Sequence, residues 1–191
     1  MSDPSPPPRR TTATRTVYEN RWMAVREDAF VRPDGSEGIY GVVEKSDFVV
    51  VIAIEDEAIW LVEQYRYPVG ARFWELPQGS WQDRPDAEPV EVARGELREE
   101  TGIEAGSLEH LGHLYQAYGF STQGMDVFLA THLHHGLPAP EEEELDLVSR
   151  RFPLEAFETM LRSGEIKDGA TLAAWALLGL RGALPAGSRP G

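Results

Sequence analysis

The sequence contains no cysteine. Disulfide bonds, a thiolate nucleophile and a cysteine-ligated zinc ion are therefore excluded together. No run of about eighteen apolar residues occurs, which excludes a helix spanning a bilayer. Basic residues are scarce: 18 Lys and Arg stand against 32 Asp and Glu, a formal charge of −14. Unselective binding of DNA, RNA or anionic lipid needs a basic surface, so neither a nucleic-acid polymer nor a membrane is an expected partner. An acidic chain still binds a phosphate compound when divalent cations lie between the two anions. The opening segment MSDPSPPPRRTTATRT carries arginines with no apolar stretch after them and does not read as a secretory signal. With cysteine absent as well, the expected location is the cytoplasm.

What is present suits one domain with a small appendage, since 41% of the 191 residues are hydrophobic. Residues 1–15, rich in Pro, Ser and Thr, are expected to form a disordered arm, and residues 184–191 a flexible tail. Residues 16–46 read as a β-hairpin region, because TVYENRWMAVRED and GIYGVVEKS flank the turn signal Arg32-Pro33-Asp34-Gly35. The main domain is expected over residues 47–183. It opens with FVVVIAI, an apolar run of buried-strand length. The acidic turn Glu55-Asp56-Glu57 leads into AIWLVEQYRYP, which alternates. RFWELP is a further short strand. A helix is predicted from Pro89 to Glu100, with proline in its first turn, Val90, Ala93 and Leu97 as its apolar stripe, and Thr101-Gly102 as its stop. LEHLGHLYQA, GMDVFLATHL and LVSRRF read as strands, PLEAFETMLRSG and DGATLAAWALLGL as amphipathic helices. Many strands with a few helices predict an α/β (α+β) sandwich with a mixed sheet. Trp60, Trp74 and Trp175 are expected in the core. His132-x-His134-His135 reads as a polar turn rather than a zinc site, for want of a third well-spaced ligand.

The segment GSWQDRPDAEPVEVARGELREETGI, Gly79 to Ile103, carries the chemistry. Residues four apart share a helix face, about 5–6 Å between Cβ atoms, so Glu96 and Glu100 are neighbours and Glu99 lies beside them. Like charges so placed repel and weaken the helix unless a cation compensates. Carboxylates are hard oxygen donors of the kind that bind Mg²⁺ or Mn²⁺. Three glutamates ending a helix, stopped by Thr-Gly and preceded by a glycine-bearing loop after a strand, resemble the Nudix box, G-x5-E-x7-R-E-U-x-E-E-x-G-U with U aliphatic. From Glu96 onward, Glu96-Leu97-Arg98-Glu99-Glu100-Thr101-Gly102-Ile103 matches it at every defined position. Two departures stand out. Gly95 occupies the position of the box arginine, which in the family helps orient the metal glutamates; Arg94 and Arg98 are candidate substitutes. The loop from Gly79 is longer than the pattern by two residues, so Ala87 falls where a glutamate is expected.

The resemblance extends over nearly all of Val17 to Leu180, and VEQYRYPVGARFWELPQGSW and GEIKDGATLAAWALL resemble the branch that includes ADP-ribose pyrophosphatases. It implies a Nudix fold, an α/β/α sandwich with a mixed central sheet, and an Mg²⁺-dependent hydrolase (Mn²⁺ as alternative) that cleaves the pyrophosphate of ADP-ribose or a related nucleoside-diphosphate compound. Glu96, Glu99 and Glu100, with the backbone carbonyl of Gln78, are the implied metal ligands. Gly79, Leu97 and Gly102 are the implied structural positions of the box. Glu99 and a base from the loop Glu141–Glu144, with Glu144 fitting best, are the implied catalytic groups. Arg66 and Arg72, on the strand and loop leading to Gly79, are candidates for binding the substrate's phosphates. The branch implies a homodimer. The alternatives are a Nudix hydrolase for another nucleotide sugar, a dinucleoside polyphosphate or an oxidised nucleotide, and a Nudix-fold nucleotide-binding module without activity.

Overall fold

The computed structural model describes residues 8–84, 86–136 and 146–182, arranged as two compact units. The first comprises residues 8–46 and 115–123, the second residues 47–114 and 124–182. Among the described residues no helix is long and apolar enough to cross a membrane.

Three antiparallel strands, β1 (Arg10–Glu19), β2 (Ala24–Val31) and β3 (Glu37–Glu44), build the first unit in that order. The stretch TVYENRWMAVRED, read as one strand, is two. The Asn20 side-chain oxygen accepts hydrogen bonds from the backbone N–H groups of Trp22 (2.8 Å) and Met23 (2.9 Å), and this local turn competes with a continued strand. Gly35, at φ 83°, closes the anticipated β2–β3 hairpin with a backbone conformation that costs a larger residue energy. β1 begins at Arg10, inside the segment expected to be a loose arm. Its β-branched threonines suit an extended chain, and pairing of Arg10 with Val31 through Glu19 with Ala24 fixes it. A distant segment joins the same unit: the Val43 amide donates to Phe120 O at 2.7 Å, and the Thr122 amide to Val43 O at 3.0 Å.

The second unit is an α/β/α sandwich around a mixed sheet, the class read from the sequence. Its strands are β4 (Phe48–Glu55), β5 (Ala58–Arg66), β6 (Ala71–Glu75), β7 (Gln78–Gly79), β8 (Ile103–Tyr115), β9 (Gly124–His135) and β10 (Val148–Pro153). The sheet order is β10-β5-β4-β9-β8, with β6 paired to β5 and β7 to β4. β4 runs parallel to β9 and antiparallel to β5, which makes the sheet mixed. Because successive strand residues point to opposite faces, β4 supplies both cores. Val49, Val51 and Ala53 pack with Val92, Ala93 and Leu97 of helix α1 (Pro89–Thr101). Val50 and Ile52 pack with Phe157 of α2 (Leu154–Ser163) and Ala174 and Leu178 of α3 (Gly169–Leu180). Trp74 and Trp175 sit against the second core, Trp60 against the first.

Helix α1 departs from its predicted stripe at one position. Val90 is 40% exposed, and Val92 takes its place inside. The buried face runs through Val92, Ala93, Glu96, Leu97 and Glu100, so two glutamates belong to the stripe and shift its phase. The helix stops as anticipated at Gly102, φ 74°, whose N–H donates to Arg98 O at 2.8 Å. The His132–His135 run is also different from the polar turn expected: it lies in strand β9, with His135 Nε2 2.9 Å from Glu55 Oε2.

Phe157 is fully buried beneath the sheet, with its ring edge-on to Trp175 at 5.0 Å. Truncating it empties a volume the two helices cannot fill. Phe157→Ala is expected to lower the unfolding free energy by about 3–5 kcal/mol in urea titrations, with an unchanged slope against denaturant.

Candidate functional site

After β6 the chain passes through Leu76 and Pro77 into β7, whose Gln78 and Gly79 pair with Val50 and Val49 of β4. Three further hydrogen bonds fix this turn. Val51 N donates to Pro77 O at 2.9 Å, Leu76 N to Thr171 Oγ1 at 2.9 Å, and Gln78 N to the Glu100 carboxylate at 3.0 Å. The turn is thereby held against the C-terminal half of α1. Glu96 and Glu100 are 6% and 1% exposed, on the inward face of that helix. A Cβ built on Gly79 would stand 2.4 and 2.6 Å from the two Glu96 carboxylate oxygens. The carboxylate therefore lies on bare backbone, in a cradle that any side chain at position 79 would fill.

The structure brings Gln78, Gly79, Glu96 and Glu100 together directly. Glu99, half-buried, turns toward the loop: it accepts a hydrogen bond from Trp81 Nε1 at 3.4 Å, and Arg98 Nη2 lies 3.7 Å from its other oxygen. Arg94 donates instead to the Ala105 carbonyl of β8 at 2.7 Å, which commits it away from the glutamates. Among the described residues, no three acidic or histidine side chains already converge as a closed ligand set. The donors present nonetheless fit a hard divalent cation. They are carboxylate oxygens, they are removed from water, and they sit at a helix C-terminus whose carbonyls add negative potential. A divalent cation would offset that accumulation of charge.

Beneath the turn lies a polar cluster that the sequence did not reveal. Glu75, 2% exposed, pairs with the Arg66 guanidinium and accepts from Gln64 Nε2 at 3.1 Å. Burial pushes the Glu75 carboxyl above the usual carboxylate range, against the pull of Arg66. Burial likewise opposes the Arg66 cation, but Glu75, with Asp168 and Glu100 nearby, holds it above its ordinary value. Gln78 Nε2 donates to Asp168 Oδ2 at 3.2 Å, and the same oxygen caps α3 by accepting from Thr171 N at 2.7 Å. The one signal available was an acidic residue inside the otherwise apolar run FWELP.

Arg72 is not brought to the glutamates. It donates to Glu63 Oε2 at 3.0 Å and to the Asp146 carbonyl at 2.7 Å, tying β6 to the residue just ahead of β10. The Glu63 carboxylate, and after it the Asp146 carboxylate, hold its pKa above the ordinary value. Leu97 is fully buried in the core between α1 and the sheet. Glu144 and its neighbours Glu141–Glu143 lie outside the described residues.

Residues 45–175 match the family model of the NUDIX domain, and residues 10–43 that of the nucleoside diphosphate sugar hydrolase N-terminal domain. The chain is 36% identical over 166 residues to an ADP-ribose pyrophosphatase of Mycobacterium tuberculosis (strain ATCC 25618 / H37Rv), covering 85% of this chain and 79% of that protein. It is 29% identical over 179 residues to an ADP-ribose pyrophosphatase of Bacillus subtilis (strain 168), covering 93% and 96%. A methanol dehydrogenase activator of Bacillus methanolicus is also 29% identical over 179 residues, covering 92% and 95%. A crystal structure of an ADP compounds hydrolase superposes with a TM-score of 0.80 at 21% identity, over 95% of this chain and all of the other.

Gly79→Ala tests the cradle. The added methyl overlaps the Glu96 carboxylate, so the variant is expected to lose about 1–3 kcal/mol of stability. A crystal structure of it should show Glu96 in a different rotamer; an undisturbed Glu96 would mean that the turn, not the side chain, gives way.

Proposed function

We propose that this chain, which belongs to the Nudix family of pyrophosphohydrolases, hydrolyses ADP-ribose to AMP and ribose 5-phosphate with Mg²⁺ as its ion and Mn²⁺ as a substitute. The observation that carries the reading is the seating of Glu96 and Glu100 against the Gln78–Gly79 turn. The names of the two ADP-ribose pyrophosphatase relatives, of whose lengths the chain covers 79% and 96%, support the substrate.

In this reading Glu96, Glu99, Glu100 and the Gln78 carbonyl hold the metal. The bound ions would neutralise the diphosphate, polarise phosphorus and lower the pKa of a bound water. The chain's own residues do the rest. Glu144, as general base, takes a proton from the attacking water, whose oxygen forms a bond to one phosphorus while the bridging P–O bond breaks and the second phosphate leaves. Glu99 assists in the reaction centre. In this reading Arg66, paired with Glu75, and Arg72, paired with Glu63 and Asp146, are the cations that bind the substrate's phosphates.

The match of residues 10–43 to a nucleoside diphosphate sugar hydrolase domain gives weight to a second substrate reading, a different nucleotide sugar cleaved at the same site. We also propose a homodimer in the cytoplasm. The exposure of the whole of β1, together with exposed Val17, Tyr18, Trp22 and Ile39 in the first unit, supports a partner surface there. Sedimentation velocity should give a dimer mass; a monomer at micromolar concentration rejects it.

Four measurements test the activity. AMP release should be highest from ADP-ribose across a panel of nucleotide sugars, dinucleoside polyphosphates and oxidised nucleotides; a higher kcat/KM elsewhere reassigns the substrate. Chelation should abolish turnover and Mg²⁺ restore it. Glu96→Gln should lower kcat by roughly a thousandfold or more, equivalent to several kcal/mol of lost transition-state stabilisation, and unimpaired turnover rejects the ligand set. Glu144→Gln should cost about 10²–10⁴-fold in kcat, the usual worth of a general base, with folding intact.

A further inference from the structure

Position 95 has no side chain, and the space it leaves is filled from elsewhere. A Cβ on Gly95 would stand 1.9 Å from Cζ2 and 2.8 Å from Cη2 of Trp81, so the indole lies directly on the bare surface of α1. From there Trp81 Nε1 donates to Glu99 Oε2 at 3.4 Å. The ring is held in place by its own surroundings: the Arg84 guanidinium lies over it, 4.7 Å from the ring centroid, and Arg84 Nη2 pairs with Glu91 Oε2 of α1 at 3.1 Å. Trp81 thus reaches Glu99 from the loop, across the helix surface at Gly95.

Residues 95 and 99 are four apart on one helix face, so a long cationic side chain at 95 would reach Glu99 along the helix. Gly95 removes that route, at a cost to the helix of about 1 kcal/mol relative to alanine. It also opens the space that the indole occupies, and the two features are one arrangement. A group that fixes a metal-binding carboxylate through a hydrogen bond restricts its rotamers before the ion arrives.

We infer that Trp81 is a positioning residue for Glu99, its indole N–H and the Gly95 gap together replacing a side chain at position 95 in orienting that carboxylate for the metal. This rests on the assignment of Glu99 as a ligand in the proposed function. It also gives the long loop after Gly79 a task, because a loop must reach across to α1 for the indole to arrive there.

The test measures Mn²⁺ binding by electron paramagnetic resonance of the free ion, on full-length protein without substrate, alongside kcat and KM. Trp81→Phe keeps an aromatic side chain on the loop but removes the N–H donor together with the outer indole ring that covers Gly95. It should raise the Mn²⁺ dissociation constant roughly tenfold and lower kcat with KM nearly unchanged, while the melting midpoint of the metal-free protein moves by only about 2–4 °C. Trp81→Ala should weaken binding at least as much. Trp81→Ala/Gly95→Arg, in which the space above position 95 is open, should recover most of the loss. Wild-type affinity in Trp81→Phe, with binding lost in Glu96→Gln, overturns this inference alone. Failure of the double variant to improve on Trp81→Ala overturns it as well. Equal Mn²⁺ binding by wild type and Glu99→Gln instead removes the ligand assignment beneath it, and this inference with it.

Discussion

The seating of a buried carboxylate on a backbone with no side chain sets the terms for everything around it. Glu96 lies against the Cα of Gly79, and Glu100 accepts a hydrogen bond from the neighbouring Gln78 amide. Removing two negative charges from water is costly unless hydrogen bonds or cations replace the lost hydration. The helix worsens the problem, since both glutamates stand in its C-terminal half, where the carbonyl dipoles are unfavourable to anions. A helix built for stability alone would carry leucine at 96 and 100. Retaining carboxylates there makes sense when a divalent ion is part of the working molecule.

That demand spreads outward through the second unit. The Gln78–Gly79 turn must stay in register with β4, and it does so by pairing with Val49 and Val50 while Thr171 of α3 ties down the Leu76 amide. Asp168 joins the Gln78 side chain to the first turn of α3, and Arg66 with Glu75 forms a second layer under the turn. Helices on opposite faces of the sheet are thus coupled to one turn. α1 supplies the carboxylates and α3 supplies the polar groups that brace their cradle.

How much of this was legible in the sequence depended on how local each interaction is. The glutamate spacing and the Thr101-Gly102 stop lie within one helix and its cap, and both were readable from order alone. The buried phase of α1 was partly misread because hydrophobic periodicity overlooks glutamates that face inward, which moved Val92 in and Val90 out. β1 was misread at its start because a Thr-rich segment is committed to a strand only by its pairing with β2. The split at Asn20 was a turn formed by one side chain, a local signal that the alternation of the flanking residues masked. The Glu75–Arg66 and Gln78–Asp168 contacts were invisible because the partners come from separate elements, in the latter case 90 positions apart. Trp81 carried no signal of its own, since its contacts with Gly95 and Glu99 come from a loop and a helix that meet only in the fold.

The first unit holds a consequence for how the chain acquires its shape. Tyr40 and its acceptor Gly119 are 79 residues apart in sequence, and Val43 pairs with Phe120 and Thr122 across a similar gap. A ribosome delivers about 5–20 residues per second. For several seconds the three N-terminal strands therefore exist without the segment that completes their unit, and closing so long a loop adds entropy cost to its assembly. No single cut separates the two units into continuous pieces of chain. The segment 115–123 that completes the N-terminal strands is made only after residues 47–114 of the other unit, yet before β9, β10, α2 and α3, so the two units are finished in an interleaved order.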